Sequence, residues 1–308
     1  PTVVATVKQA LDVVQHIGSG GCGAVYLASD GVDVQIREDL IALAKLGSEV
    51  SRLVVVTAGV CSNEMAGPIQ SAVWGFVATL RLELGQTTAC VCIDLEPASL
   101  MENGAIQSAI MCVLEHPDET GLALKADGEL YLQRLAKATI DIEPCKVETL
   151  PIKINQTTTF VISGGLGGLG LVAALKLLQC GAHHLVLLAR NGRVAPESWE
   201  MWQEVSTFPG AVVDVMRCDV CVAKDVHAVL DAVRKSGRII GGVLHTAGIL
   251  RDRMVRGMSA DDFNAVCAPK IDGAWNLHHA TAVDQVEHFI TYSSIAGLIG
   301  GVGQASYG

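Results

Sequence analysis

The sequence predicts an α/β fold built on parallel sheets, and three observations carry that expectation. Apolar runs rich in β-branched residues alternate with helical patterns along the whole chain, the rhythm of strand–helix–strand units. One run, Thr159-Phe160-Val161-Ile162, leads into the glycine-rich Ser163–Gly170 and then into an amphipathic stretch, which reads as a strand, a tight turn and a helix. Half of the 308 residues are apolar and 18% are charged, enough for the cores of about two domains and far from the composition of a disordered chain.

In the first half the short apolar runs place strands at Ala24–Ala28, Arg52–Ala58, Ala89–Leu95, Leu122–Lys125 and Leu130–Leu135. Apolar residues at helical spacing place helices at Val34–Leu46, Pro68–Leu84 and Leu100–Leu114. Asp141-Ile142-Glu143-Pro144 and Pro151 then interrupt any periodicity, and a fresh strand starts at Thr158. A boundary near Asp141–Gln156 is expected, giving domains 1–150 and 151–308. The second half repeats the rhythm, with strands at Thr158–Ser163, His184–Ala189, Val212–Arg217, Gly241–Thr246 and Glu287–Ser293. Helices are expected at Gly168–Cys180, Ala223–Ser236 and Ser259–Ala282. A doubly wound sheet usually has a sixth strand, so the chain is expected to be a piece of something longer whose second domain is incomplete.

Charge and composition exclude several function classes. The net charge is −10 with Lys and Arg scattered, a poor match to nucleic acid or an anionic membrane surface. No apolar run reaches the ~18 residues of a membrane span, and Pro1-Thr2-Val3-Val4 lacks the charged start of a signal peptide. The ten cysteines sit mostly inside apolar runs of a chain large enough to need no disulfides, which predicts free thiols and an intracellular, cytoplasmic location. Cys218-Asp219-Val220-Cys221 has C-x-x-C spacing without a second pair, so no metal is expected there. The pairs His183-His184 and His278-His279 point to different faces and lack a completing cluster, so no metal is expected there either.

The strongest chemical signal is the turn Ser163-Gly164-Gly165-Leu166-Gly167-Gly168-Leu169-Gly170, in which Gly165, Gly167 and Gly170 fit G-x-G-x-x-G between a strand and a helix. Missing side chains let the backbone approach a pyrophosphate, and the following helix offers it free N–H groups and a positive dipole end. The plain alternative is a tight turn without a ligand. About twenty residues on, where NAD binders place a carboxylate, the second strand ends Leu188-Ala189-Arg190-Asn191. The Arg190 guanidinium suits the 2′-phosphate of NADP, so NADPH is expected over NADH, unless Arg190 is merely an exposed strand-end residue. A second match at Gly18-Ser19-Gly20-Gly21-Cys22-Gly23 precedes a strand rather than following one and is expected to be a flexible turn.

From Thr158 onward the chain resembles the short-chain dehydrogenase/reductase superfamily, and more closely the ketoreductase domains of modular polyketide synthases. Ser163–Gly170 is similar to the superfamily's T-G-x-x-x-G-x-G turn, and His245-Thr246-Ala247-Gly248 stands in place of N-N-A-G. The stretch Ala268-Pro269-Lys270-Ile271-Asp272-Gly273-Ala274-Trp275 resembles the A-P-K-V-x-G-A-W of these domains. Ser293-Ser294-Ile295-Ala296-Gly297 and Gly303-Gln304-Ala305-Ser306-Tyr307 resemble S-S-x-A-G and G-Q-x-x-Y. Ser71-Ala72-Val73-Trp74-Gly75 and Gly128-Glu129-Leu130-Tyr131-Leu132 resemble the family's non-catalytic subdomain. The implied fold is two Rossmann-like subdomains, the first a truncated structural unit and the second an NADP-binding, doubly wound parallel sheet cut short at its C-terminus.

The resemblance implies Tyr307 as proton donor, Lys270 as the cation that favours the phenolate and contacts the nicotinamide ribose, and Ser294 as hydrogen-bond donor to the substrate carbonyl. Those residue types suit the task, because a phenol near pKa 10 is a sluggish acid–base until its anion is stabilised. The turn residues Gly164, Gly165, Leu166, Gly167, Gly168, Leu169 and Gly170 would hold the pyrophosphate; Asp219 and Val220 would contact adenine; Ala247 and Gly248 would give close backbone approach. Leu250-Arg251-Asp252 matches the stereochemical signature L-D-D only as L-x-D, and Ile299 stands where the opposite class carries Trp, which favours the 3R alcohol. The family's Asn, four residues after the Tyr, would fall beyond Gly308, so poor catalysis is expected of these 308 residues alone. The implied reaction is NADPH-dependent reduction of a 3-oxoacyl thioester carried on the phosphopantetheine arm of an acyl carrier protein, beside other synthase domains. A fatty acid synthase ketoreductase and an inactive scaffold are the alternatives.

Overall fold

A computed structural model describes residues 23–28, 33–61, 68–97, 104–137 and 154–307. The glycine run at Gly18–Cys22 and most of the expected boundary, 141–153, lie outside the described residues. By contacts, the chain forms two compact units. One comprises Pro1–Ala138, Leu250–Asn264 and Ser294–Gly308; the other comprises Thr139–Ile249 and Ala265–Ser293.

The first unit holds strands β1 (Gly23–Leu27), β2 (Arg52–Ala58), β3 (Ala89–Leu95), β4 (Gly121–Leu124) and β5 (Leu130–Leu132), and helices α1 (Asp33–Glu49), α2 (Pro68–Leu84) and α3 (Ala105–Glu115). Its sheet runs in the sequential order β1-β2-β3-β4-β5. The β1 to β4 pairings are parallel, whereas β5 returns antiparallel to β4. The reason is the turn at Lys125–Gly128, closed by Gly128 N–H donating to the Lys125 carbonyl at 3.0 Å, which is too short for a crossover. Among the described residues the order never reverses, so the strands described here show no topological switch point, the place where nucleotides bind in sheets of this kind.

Residues of both parities on β2 and β3 are buried, as parallel strands covered on two faces require. Ala109 and Val113 of α3 pack against Val54, Val56, Val91, Ile93 and Leu95. Trp74 is more than a core aromatic. Its indole N–H donates to Thr57 Oγ1 at 2.8 Å, and the Thr57 hydroxyl donates to the Asp94 carboxylate at 2.7 Å. The other Asp94 oxygen accepts the Cys61 N–H at 2.8 Å, so this buried polar chain satisfies itself.

The second unit holds β6 (Thr158–Ser163), α4 (Gly168–Gln179), β7 (His184–Ala189), α5 (Trp199–Ser206), β8 (Val212–Arg217), α6 (Ala223–Lys235), β9 (Ile239–His245), most of α7 (Ala260–Ala280) and β10 (His288–Thr291). All five strands are parallel, in the order β10-β9-β6-β7-β8. The chain winds outward from β6 to β8, then crosses to β9 on the other side of β6. That reversal makes the doubly wound sheet the sequence predicts, and it puts the switch point at the ends of β6 and β9.

The two faces of this sheet have separate cores. Val161, Val186, Leu188 and Val243 pack with Val226, Val229, Leu230 and Val233 of α6, the i, i+3, i+4, i+7 stripe of one helix face. Phe160, Ile162, Leu185 and Leu187 pack with Leu171, Ala174 and Leu178 of α4. Each fully buried Val or Leu contributes about 1.5–3 kcal/mol. Arg234 and Asp284 form a two-pronged pair, Nε to Oδ1 at 3.1 Å and a second guanidinium nitrogen to Oδ2 at 2.6 Å. The pair ties the end of α6 to the turn before β10. Helix α5 adds an element for which the sequence reading has no counterpart. It spans two turns, and its Met201, Trp202 and Val205 join the α4 face.

Candidate active site

The glycine turn lies at the switch point of the second unit. Gly164 has φ +67°, a conformation that L side chains rarely adopt, and a Cβ there would stand 2.8 Å from both Cα and N of Ala247. The close approach lets Thr246 donate its N–H to the Ser163 carbonyl at 3.1 Å and its hydroxyl to the same carbonyl at 2.7 Å. Gly170 packs the first turn of α4 directly on the backbone of Gly164 and Gly165. Leu166 is buried in the α4 core, while Gly167, Gly168 and Leu169 are exposed. The N-cap of α4 is Gly167 with no side-chain cap, and a Cβ on Gly168 would meet nothing within 4 Å. An open helix start with uncapped N–H groups is the cradle a pyrophosphate needs, so the residues present fit a dinucleotide.

Beneath the switch point Ser163 Oγ shares a 2.6 Å hydrogen bond with His245 Nδ1, both side chains being buried. Burial, followed by the charge of Lys270, holds the His245 imidazole below its ordinary pKa, with the carbonyls of Pro269 and Lys270 partly offsetting them. Lys270 lies on α7, one residue after Pro269. Its stem crosses Gly248, where a Cβ would come within 2.7 Å of Lys270 Cε, and its ammonium donates to the Tyr292 carbonyl at 3.1 Å. Burial lowers the Lys270 pKa from its ordinary value. The sequence reading did not include the Tyr292 carbonyl, a backbone acceptor that carries no side-chain signal.

At the far ends of β7 and β8, Arg190 is exposed and follows the register pair Ala189↔Arg217. Arg217 Nε donates to the Arg190 carbonyl at 3.4 Å, so two guanidinium side chains issue from neighbouring strand ends. Only strand alignment reveals Arg217 as a neighbour, since 27 residues separate the two. The Asp219–Val220 segment is fixed by Cys221 N–H donating to Asp219 Oδ1 at 3.0 Å and by Asn276 donating to the Val220 carbonyl at 2.8 Å. Burial pushes the Cys218 and Cys221 thiols up to about 11, leaving them protonated at neutral pH. Among the described residues no group of three or more His, Cys, Asp or Glu could hold a metal ion, and no helix is long and apolar enough to cross a membrane.

Leu250, Asp252, Ser294, Ile299 and Tyr307 belong to the first unit by contacts. Ser294 Oγ accepts the N–H of Ala296 at 3.1 Å, at the start of the short helix α8 (Ala296–Ile299). Ile299 and Leu250 are exposed. The Gln304 amide lies 3.3 and 3.4 Å from the two Asp252 carboxylate oxygens, joining the L-x-D segment to the segment that ends in Tyr307. Tyr307 is half-buried, and its N–H donates to the Gln304 carbonyl at 2.9 Å.

A doubly wound sheet with a glycine turn at its switch point defines the class of dinucleotide-fold proteins. Residues 158–308 match the family model of the KR domain, and the chain belongs to the ketoreductases of polyketide synthases. It is 33% identical over 214 residues to a lovastatin diketide synthase of Monascus pilosus, covering 69% of this chain and 8% of that one. It is 31% identical over 261 residues to a naringenin synthase of Pestalotiopsis fici, covering 84% of this chain and 9% of that one. Among solved structures, the first ketoreductase of the tylosin polyketide synthase superposes with a TM-score of 0.76 at 26% identity, over 98% of this chain and 65% of that one. The ketoreductase from the first phoslactomycin module of Streptomyces sp. HK803 gives 0.74 at 27%, over 92% and 63%. The chain thus spans less than a tenth of these two large synthases and just under two thirds of these solved ketoreductases.

Proposed function

We propose that this chain forms part of an NADPH-dependent ketoreductase that reduces a 3-oxoacyl thioester on an acyl carrier protein to the 3-hydroxyacyl thioester. The observation that carries the reading is the open, uncapped start of α4 behind the glycine turn, with Arg190 in place of a carboxylate at the end of β7. In this reading Gly164–Gly170 seat the pyrophosphate, Asp219 and Val220 border the adenine, Ala247 and Gly248 allow close approach, and Arg190 pairs with the 2′-phosphate. When bound, the reduced nicotinamide supplies a hydride to the ketone carbon.

The remaining work belongs to side chains of this chain. Tyr307 gives its phenolic proton to the carbonyl oxygen. Lys270, with one N–H on the Tyr292 carbonyl, keeps two more for the ribose and supplies positive charge that favours the phenolate. Ser294 accepts an N–H from the backbone, which leaves its own hydroxyl proton to donate to the substrate oxygen. Leu250, Asp252 and Ile299 border the acyl chain and favour the 3R product. Other synthase domains in the same chain deliver the phosphopantetheine-borne substrate.

The test is NADPH oxidation by the full-length natural protein with an N-acetylcysteamine 3-oxoacyl thioester, with chiral analysis of the product. Turnover to the 3R alcohol is expected, with kcat lowered about 10²–10⁴-fold in Tyr307→Phe. In Arg190→Ala the NADPH affinity should fall about tenfold or more, as expected for a lost charge-assisted pair, while NADH affinity holds. Unchanged NADPH affinity in that variant, or no NADPH consumption by the wild type, overturns the reading.

A further inference from the structure

Helix α2 of the first unit carries Thr79 and Glu83 one turn apart, on one face. Thr79 Oγ1 accepts the N–H of Gly301 at 3.2 Å. One Glu83 oxygen accepts the N–H of Val255 at 2.6 Å, and the other accepts the N–H of Gly303 at 2.9 Å. The two held segments also bond each other, Arg253 N–H donating to the Gly303 carbonyl at 2.7 Å. Gly300 at φ +77° lies directly on the Ala78 backbone of the same helix. All of these groups belong to the first unit.

One held segment follows Leu250 and Asp252; the other lies between Ile299 and Gln304-Ala305-Ser306-Tyr307. A carboxylate that accepts one N–H on each oxygen fixes the spacing of the two segments. Glutamine cannot replace it, because its amide would present N–H to N–H on one side. We propose that Glu83 is a positioning residue of the ketoreductase: it holds the substrate-bordering segment at 250–255 and the segment carrying Tyr307 in register, and so sets both turnover and the choice of alcohol configuration. The inference rests on the ketoreductase reading above.

The test uses the full-length natural protein bearing Glu83→Gln, with Val255→Pro as a second variant. Proline at 255 deletes the N–H that Glu83 accepts and puts a ring of similar size in place of the buried Val255 side chain. Met254 at ψ +139° already has the backbone that precedes proline, and Val255 opens a 3₁₀ turn where proline is tolerated. Both variants should stay folded at the assay temperature, with a melting temperature lowered by a few degrees at most, and keep the wild-type NADPH affinity. Each should lose about tenfold or more in kcat and release a larger share of the minor alcohol enantiomer, as misplacement of reacting groups by a fraction of an ångström requires. Glu83→Asp, one methylene too short to span both N–H groups, should not restore them. Wild-type kcat and enantiomer ratio in either folded variant overturns the proposal. So does a parallel loss of folding and NADPH affinity in both, since that marks a purely structural role. If the wild type fails to consume NADPH, the ketoreductase reading fails and the inference with it.

Discussion

Replacing Gly164 by alanine tests how tightly the glycine turn is built. The φ of +67° costs an L-residue about 1–2 kcal/mol. The new Cβ would also stand 2.8 Å from Ala247 Cα and N, where ordinary contact begins at 3.4 Å, so the backbones must part by the difference of 0.6 Å. Moving the ends of β6 and β9 apart by that amount stretches the 3.1 Å bond from Thr246 N–H to the Ser163 carbonyl beyond hydrogen-bonding range, losing about 1 kcal/mol more. The sum is about 2–3 kcal/mol, or a melting temperature lower by about 4–12 °C for a domain of this size. Gly168→Ala is the matched control, since its Cβ would meet nothing within 4 Å and alanine is the better helix former. Thermal and urea unfolding of the two variants, followed by intrinsic fluorescence, reads the difference. Equal midpoints for Gly164→Ala and Gly168→Ala would refute the reasoning.

Two further outcomes follow from buried groups. His245 is held below its ordinary pKa, so below about pH 6.5 the unfolded chain binds a proton that the folded chain refuses. Stability should therefore fall as the pH drops through that range and be fully present above it. His245→Asn should flatten this acid limb, and urea midpoints at pH 5 and 7.5 whose spacing is the same in variant and wild type would contradict it. Trp74→Phe removes the donor to Thr57 while leaving the Thr57–Asp94 bond, and should cost about 1 kcal/mol in urea unfolding; a cost near zero would mean that the indole N–H contributes nothing there.

Much of this architecture is legible in the amino-acid order because its strands are β-branched runs with sharp ends. Strands β2, β3, β6, β7 and β8 begin and end where the apolar runs do. Helix α5 escapes such a reading because two turns hold too few apolar residues to show a period. The glycine motif gives the place of the turn but not its handedness. The residue in the left-handed region is Gly164, outside the G-x-G-x-x-G triple, because that spacing encodes close approach rather than φ. Glu83 is silent in sequence for a different reason: its partners are backbone N–H groups 172 and 220 positions away, and a backbone group leaves no residue signature. Arg217 becomes a companion of Arg190 only once β7 and β8 are aligned in register.

The threading of the chain between its two compact bodies bears on how such reductases can be recombined. Leu250–Asn264 and Ser294–Gly308 are late in sequence, yet they belong to the compact unit that holds β1 to β5. A chimera spliced near position 150 would pair the loops around Leu250 and Tyr307 with a foreign α2, whose positions equivalent to Thr79 and Glu83 never co-evolved with them. Transplants that carry the early residues and both late loops from one parent keep those bonds native, and that dictates where a synthase of this kind can be cut and rejoined.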